Sequence, residues 1–209
     1  MDKDEAFESL ETIRTIFERS TVFTQLAPVS LLLGGGTAIL ASLIGWLANW
    51  TPQSSPLAFL FLWIVAFVLA LVVGLGSSAR RARRLDEVFW SRKLQFVVWG
   101  FSPSFVVSIL VTAVLIDVGR ADLAPGIWIL TYGLGILAVG LVLGWEFRAT
   151  AWSFLICGSV ALFLLRQHPN FVLGMSFGTF HVALGLFRVY RESSLSWQGR
   201  KQLSRIFKT

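Results

Sequence analysis

The sequence predicts an all-α polytopic membrane protein, a bundle of six transmembrane helices preceded by an amphipathic helix. Three observations predict it. Apolar residues make up 55% of the chain and charged residues only 14%, where a soluble domain carries about 25% charged. The apolar residues gather into runs of about 20, the length that crosses the hydrocarbon core. Lysine and arginine fall almost wholly on one side of those runs.

Residues 1–25 are polar, with Phe7, Leu10, Ile13 and Phe17 spaced for one helical face. Glu5, Glu8, Glu11, Arg14, Glu18 and Arg19 occupy the other faces. This pattern predicts an amphipathic cytoplasmic or interfacial leader. The acidic opening Met1-Asp-Lys-Asp-Glu5 is unlike the basic start of a cleavable signal peptide.

The first span is expected at 26–49 and contains Gly34-Gly35-Gly36. In a membrane bundle such glycines let helices approach closely. The uncharged link Trp50-Thr-Pro-Gln-Ser-Ser-Pro56 reads as a turn, and Pro56 suits the first turn of a helix. The second span is expected at 57–76, followed by a basic loop, Ser77-Ser-Ala-Arg-Arg-Ala-Arg-Arg84. The third span, 94–116, contains Pro103, which removes one helical hydrogen bond. The fourth is expected at 124–145, the fifth at 149–165 and the sixth at 170–187. A basic tail, 188–209, completes a three-part division into leader, spanning domain 26–187 and tail.

With the N-terminus inside, the inner segments hold three Lys/Arg in the leader, six at 77–94, Arg148, and six in the tail. The outer segments hold Arg120 and Arg166 only. In a bacterial host this positive-inside bias predicts an inner (cytoplasmic) membrane protein with both termini cytoplasmic. The basic run at 77–84 reads as an anionic-lipid or partner patch or as plain topology charge, the bias favouring topology, and nucleic acid is not an expected partner. Trp50 and Trp128 fall near the outer ends, and Trp90, Trp145 and Trp152 near the inner ends, as in an aromatic belt.

Gly174, Gly178, His181 and Gly185 share one face of the sixth span. Gly140 and Gly144 in the fourth span, like Gly174 and Gly178, have small-xxx-small spacing. These five glycines are the candidate packing positions. His181 is the only histidine within the apolar part of the chain. At that depth it needs a partner or a cavity. It reads either as a ligand contact, haem ligand or proton site, or as a packing histidine bonded to a neighbouring helix. Tyr132 in the fourth span is open to the same two readings. Glu146 and Arg148, in the inner turn before the fifth span, read as a gate or proton site, or as plain interface charges. These four are the candidate ligand-binding residues.

No metal site is expected. His168 and His181 lie about 20 Å apart along a helix, and no acid or cysteine stands beside His181 at ligand spacing. The single cysteine, Cys157, excludes an intramolecular disulfide. No phosphate loop, HExxH, or nucleophile–base pair is present, so neither catalytic residues nor a cofactor are expected.

The chain resembles a group of uncharacterised bacterial six-helix membrane proteins. The resemblance rests on Glu18-Arg-Ser-Thr-Val-Phe23 leading into the first span, Tyr132-Gly-Leu134 in the fourth, and Phe177-Gly-x-x-His-x-x-x-Gly185 in the last. The chain departs from that pattern in its basic run 80–84. Members are often encoded beside winged-helix regulators, which implies a sensing or regulatory role. The expected function is thus a non-enzymatic sensing, regulatory or partner-binding module. Its expected partners are the lipid bilayer, a cytoplasmic protein or a second copy of the chain. The alternatives are a small transporter or channel with a site near His181, and a haem-binding membrane protein.

Overall fold

The computed structural model describes residues 28–84, 86 and 88–206. The expected leader, 1–25, lies outside them. Six helical rods run up and down. They are α1 (Pro28–Leu47), α2 (Pro56–Arg84), α3 (Arg92–Asp117), α4 (Ala124–Leu143), α5 (Trp145–Phe163) and a composite sixth. A short 3-10 turn, Ala121–Leu123, leads into α4. The sixth rod is α6 (Pro169–Leu173), a π-helical segment (Gly174–Phe180) and α7 (His181–Ile206), joined without a break. No strand occurs among the described residues.

Five stretches are long and apolar enough to cross a membrane: Pro28–Leu47, Pro56–Arg84, Leu94–Asp117, Ala121–Gly140 and Pro169–Arg191. The rod that falls short is α5, which has 19 residues and carries Glu146 and Arg148 in its first turn. Large apolar side chains face outward, with Ile109 68% and Leu110 61% exposed on α3. That is the inverse of a water-soluble surface, where apolar patches of this extent are rare.

Local chemistry explains most boundaries. Proline opens α1, α2 and α6 and stands in the first turn of α4, where a missing N–H costs nothing. Ser91 caps α3, its Oγ accepting from Leu94 N at 3.3 Å. Pro103 cannot bond the Trp99 carbonyl, and Ser102 Oγ donates to that oxygen instead at 3.1 Å.

Three expected boundaries move. Residues 77–84 are no loop; they continue α2 to Arg84. Arginines at 81, 83 and 84 suit the negative end of the helix dipole there. The tail does not separate from the sixth span, because α7 runs on to Ile206. Gly144 lies beyond α4 rather than on its face. It forms the elbow into α5 at φ +123° and ψ 170°, a conformation only glycine adopts freely. The expected small-residue pair of Gly140 with Gly144 therefore does not form.

The other glycines set which rods meet. Antiparallel to α1, the sixth rod follows a steady register. Asn170 lies at Gly45, Ser42 at Gly174, Ile39 at Gly178, Val182 at Gly35 and Leu32 at Gly185. A Cβ on Gly35 would stand 2.7 Å from Gly178 O, so the two backbones nearly touch. α4 and α5 form a second tight pair, with Gly126 at Leu162, Gly133 at Phe154, Gly158 at Leu130, and Gly140 at Arg148. Phe59 of α2 stacks on Trp128 of α4 at 5.9 Å and ties the two halves together. Trp128 is thus a packing residue more than a belt residue.

Candidate functional site

His181 and Tyr132 meet in the middle of the bundle. The Tyr132 Oη and His181 Nε2 atoms are 2.7 Å apart. The other ring nitrogen, Nδ1, lies 2.7 Å from the Phe177 carbonyl. A carbonyl only accepts, so Nδ1 carries the proton and Nε2 accepts from the tyrosine hydroxyl. Both polar ends of the imidazole are engaged. A haem iron could take Nε2 only by displacing Tyr132.

Rings from three rods enclose the pair. Phe101 of α3 lies 5.0 Å from the Tyr132 ring, and Phe154 of α5 and Phe177 of the π segment each lie 4.9 Å from it. Phe154 is fully buried and also faces Phe180 at 5.2 Å and His181 at 5.7 Å. The edge-on and tilted geometries are the favourable ones for aromatic pairs, worth about 0.5–1.5 kcal/mol each beyond area burial. The hydrogen bond makes a polar pair acceptable in this apolar setting, as intramembrane polar side chains require.

The π segment directly precedes His181 and was not foreseen. Side chains bond backbone carbonyls within it and just ahead of it. Ser176 Oγ donates to Val172 O at 2.7 Å and lies 3.3 Å from Leu173 O, while His181 serves Phe177 O. The sequence shows only a serine between two glycines, Gly174 and Gly178, and the structure buries that serine fully. Such wide-wound segments are frequent at functional positions.

At the end holding the basic residues, Glu146 and Arg148 part company. Glu146 is buried and bonds Arg191 of α7 at 3.1 Å. Arg148 is exposed and lies along Gly140. The second carboxylate oxygen of Glu146, Oε2, is enclosed without a hydrogen-bond partner, in the space left by the missing side chain of Gly144. One turn back along α7, Arg188 is 4% exposed and sits over the Phe147 ring at 5.4 Å. The four candidates therefore form two places. His181 and Tyr132 are joined in the centre, Glu146 lies at one end with Arg191, and Arg148 belongs to neither.

The opposite end has a hub that sequence reading missed. Asn170 is 4% exposed. Its Oδ1 accepts from Trp63 Nε1 at 3.2 Å, and its Nδ2 donates to Trp50 O at 2.8 Å. Ser42 Oγ donates to its backbone carbonyl at 2.8 Å. An amide directly after Pro169 at the head of an apolar run was the available signal. Beyond it, Asp122 takes Arg120 at 3.1 Å and Arg166 at 3.9 Å. The bond to Asp122, and then its charge, hold the Arg120 guanidinium above its ordinary range.

Among the described residues, no group of three or more His, Cys, Asp or Glu side chains is placed to hold a metal ion. Comparison with family models, with curated proteins and with solved structures finds no match for this chain. The functional reading therefore stands on the residues themselves.

Proposed function

We propose that the chain is a six-span protein of a bacterial inner membrane with both termini cytoplasmic. In this reading it is a non-enzymatic sensing or regulatory module whose cytoplasmic end meets anionic lipid or a protein partner. The observation that carries the reading is the basic end. There α2 continues as helix through Arg80, Arg81, Arg83 and Arg84, and α7 continues through Arg188 and Arg191 to Ile206. Arg80, Arg83, Arg84, Arg92 and Arg148 are exposed, and Trp90, Trp145 and Trp152 stand exposed on the same side. Juxtamembrane arginines attract anionic head groups by about 1 kcal/mol each near the surface.

Native mass spectrometry of the detergent-purified protein tests this, with phosphatidylglycerol and cardiolipin as probes. Wild type retains anionic lipid, and Arg80, Arg83 and Arg84 changed together to Gln lose most of it. Equal retention in both sinks the lipid form of the reading. Reporter fusions at the two termini test the span count. Six crossings place both reporters on one side, and five place them on opposite sides.

A second reading, a small transporter with its site at His181 and Tyr132, is favoured by one observation. The buried polar pair adjoins a π-wound segment. Single cysteines along the sixth rod, tested with a water-borne thiol reagent, separate the two readings. Labelling that reaches the level of His181 supports transport, and none beyond the rod ends counts against it.

A further inference from the structure

One face of α7 follows α5 in a single antiparallel register. His181 lies 5.7 Å from Phe154, Arg188 lies 5.4 Å above Phe147, and Arg191 lies 3.1 Å from Glu146. The phase of that face is set upstream, in the seven π-wound residues Gly174–Phe180. A π-helix closes on i→i+5 bonds and turns the chain less per residue than an α-helix. Returning the segment to α winding puts everything after it out of phase by about one residue, or roughly 100°.

Two features suit the segment to both windings. On the side facing α1, the rod presents Gly174, Gly178 and Gly185, with Val182 packed between them at Gly35. Side-chain bonds brace the chain on either side of the turn, Ser176 on Val172 O just ahead of the segment and His181 on Phe177 O within it. The Tyr132–His181 hydrogen bond fixes the phase from α4.

We propose that Gly174–Phe180 is a rotary switch latched by the Tyr132–His181 hydrogen bond. Winding it back to α-helix swings His181, Arg188 and Arg191 off α5 together and presents the two arginines at the basic end. What those arginines then meet rests on the function proposed above; the motion rests on the register alone. Such a coupling needs a bistable element that both ends of the rod bias, and the π segment lies between them.

Spin-label distances in nanodiscs test it, using the full chain with Cys157→Ser and labels at W152C and V189C. Both positions are exposed, at 58% and 43%. Wild type gives one distance. α winding at full length gives a second, discrete distance, whereas deletion of Thr179, an exposed residue of the π segment, removes the one-residue excess, keeps the downstream phase and gives the wild-type distance alone. Tyr132→Phe removes only the latch hydroxyl, and His181→Leu removes the latch from the other side. Both variants populate the second distance beside the first. A single wild-type distance in both overturns the switch, whether or not the deletion variant folds. A structureless broadening in both, with no discrete second distance, overturns it as well. The distances do not depend on what binds the basic end. Lipid retention unchanged by the arginine substitutions therefore removes the binding reading and leaves this one standing.

Discussion

Glu146 pairs with Arg191, 45 residues away, at 3.1 Å, and not with Arg148 two positions along its own helix. The reason is helical geometry. Residues i and i+2 point to different sides of a helix, so Glu146 turns inward to α7 while Arg148 turns out. The two partners are unequally buried, with side-chain exposures of 7% for Glu146 and 41% for Arg191. This predicts an asymmetry. Arg191→Gln leaves a buried carboxylate with neither oxygen charge-paired and costs about 1–3 kcal/mol. Glu146→Gln leaves an arginine that can reach water and costs under about 1 kcal/mol. Thermal unfolding in detergent reads both, and equal losses contradict the asymmetry.

The Tyr132–His181 pair makes a graded prediction. Tyr132→Phe keeps the ring contacts with Phe101, Phe154 and Phe177 and removes one interhelical hydrogen bond. Such bonds average about 0.6 kcal/mol and reach about 1.7. Tyr132→Ala also empties the aromatic box, for about 3–5 kcal/mol. Unfolding by a denaturing detergent measures the two steps. A Tyr132→Phe loss as large as that of Tyr132→Ala means the rings contribute little.

Asn170 gathers α1, α2 and the sixth rod at one point. Asn170→Leu removes the acceptor for Trp63 Nε1 and the donor to Trp50 O. Each group left unpaired in a buried setting costs about 1–3 kcal/mol. The expected outcome is a loss of that order with a shift in tryptophan emission. An emission spectrum identical to wild type would mean that Trp63 has not lost its partner.

The rods themselves were legible because a membrane-length apolar run is a strong signal, and the turns between them carry Pro or charge. The ends were less so. Arg80–Arg84 looked like a loop because basic runs usually lie in loops, yet α2 carries them as helix, where the dipole favours them. Gly144 shows the limit most plainly. Its spacing from Gly140 fits helix packing, but a glycine at that spacing fits an elbow equally well, and its positive φ decides. The centre was half legible. His181 and Tyr132 could each be singled out as polar among apolar neighbours, but their meeting depends on the antiparallel order of rods, which single-chain periodicity does not contain. The π segment left no periodic trace, because seven residues are too few to distinguish its winding from an α-helix.

The glycines give the last prediction, since the structure sorts them into tight and open. A Cβ at Gly35 would lie 2.7 Å from Gly178 O and 3.0 Å from Val182 N, both backbone atoms that cannot swing aside. At Gly74 and Gly36 it would meet nothing within 4 Å. Overpacking a close helix contact costs about 1–3 kcal/mol, whereas alanine in an open helical position gains up to about 1 kcal/mol over glycine. Gly35→Ala therefore destabilises, while Gly36→Ala, one residue along the same Gly-Gly-Gly run, is neutral or stabilising. The comparison holds helix, depth and substitution constant, so the difference in unfolding midpoint reports the approach of α1 to the sixth rod alone. Equal midpoints for the two variants would mean that Gly35 does not form the contact that joins them.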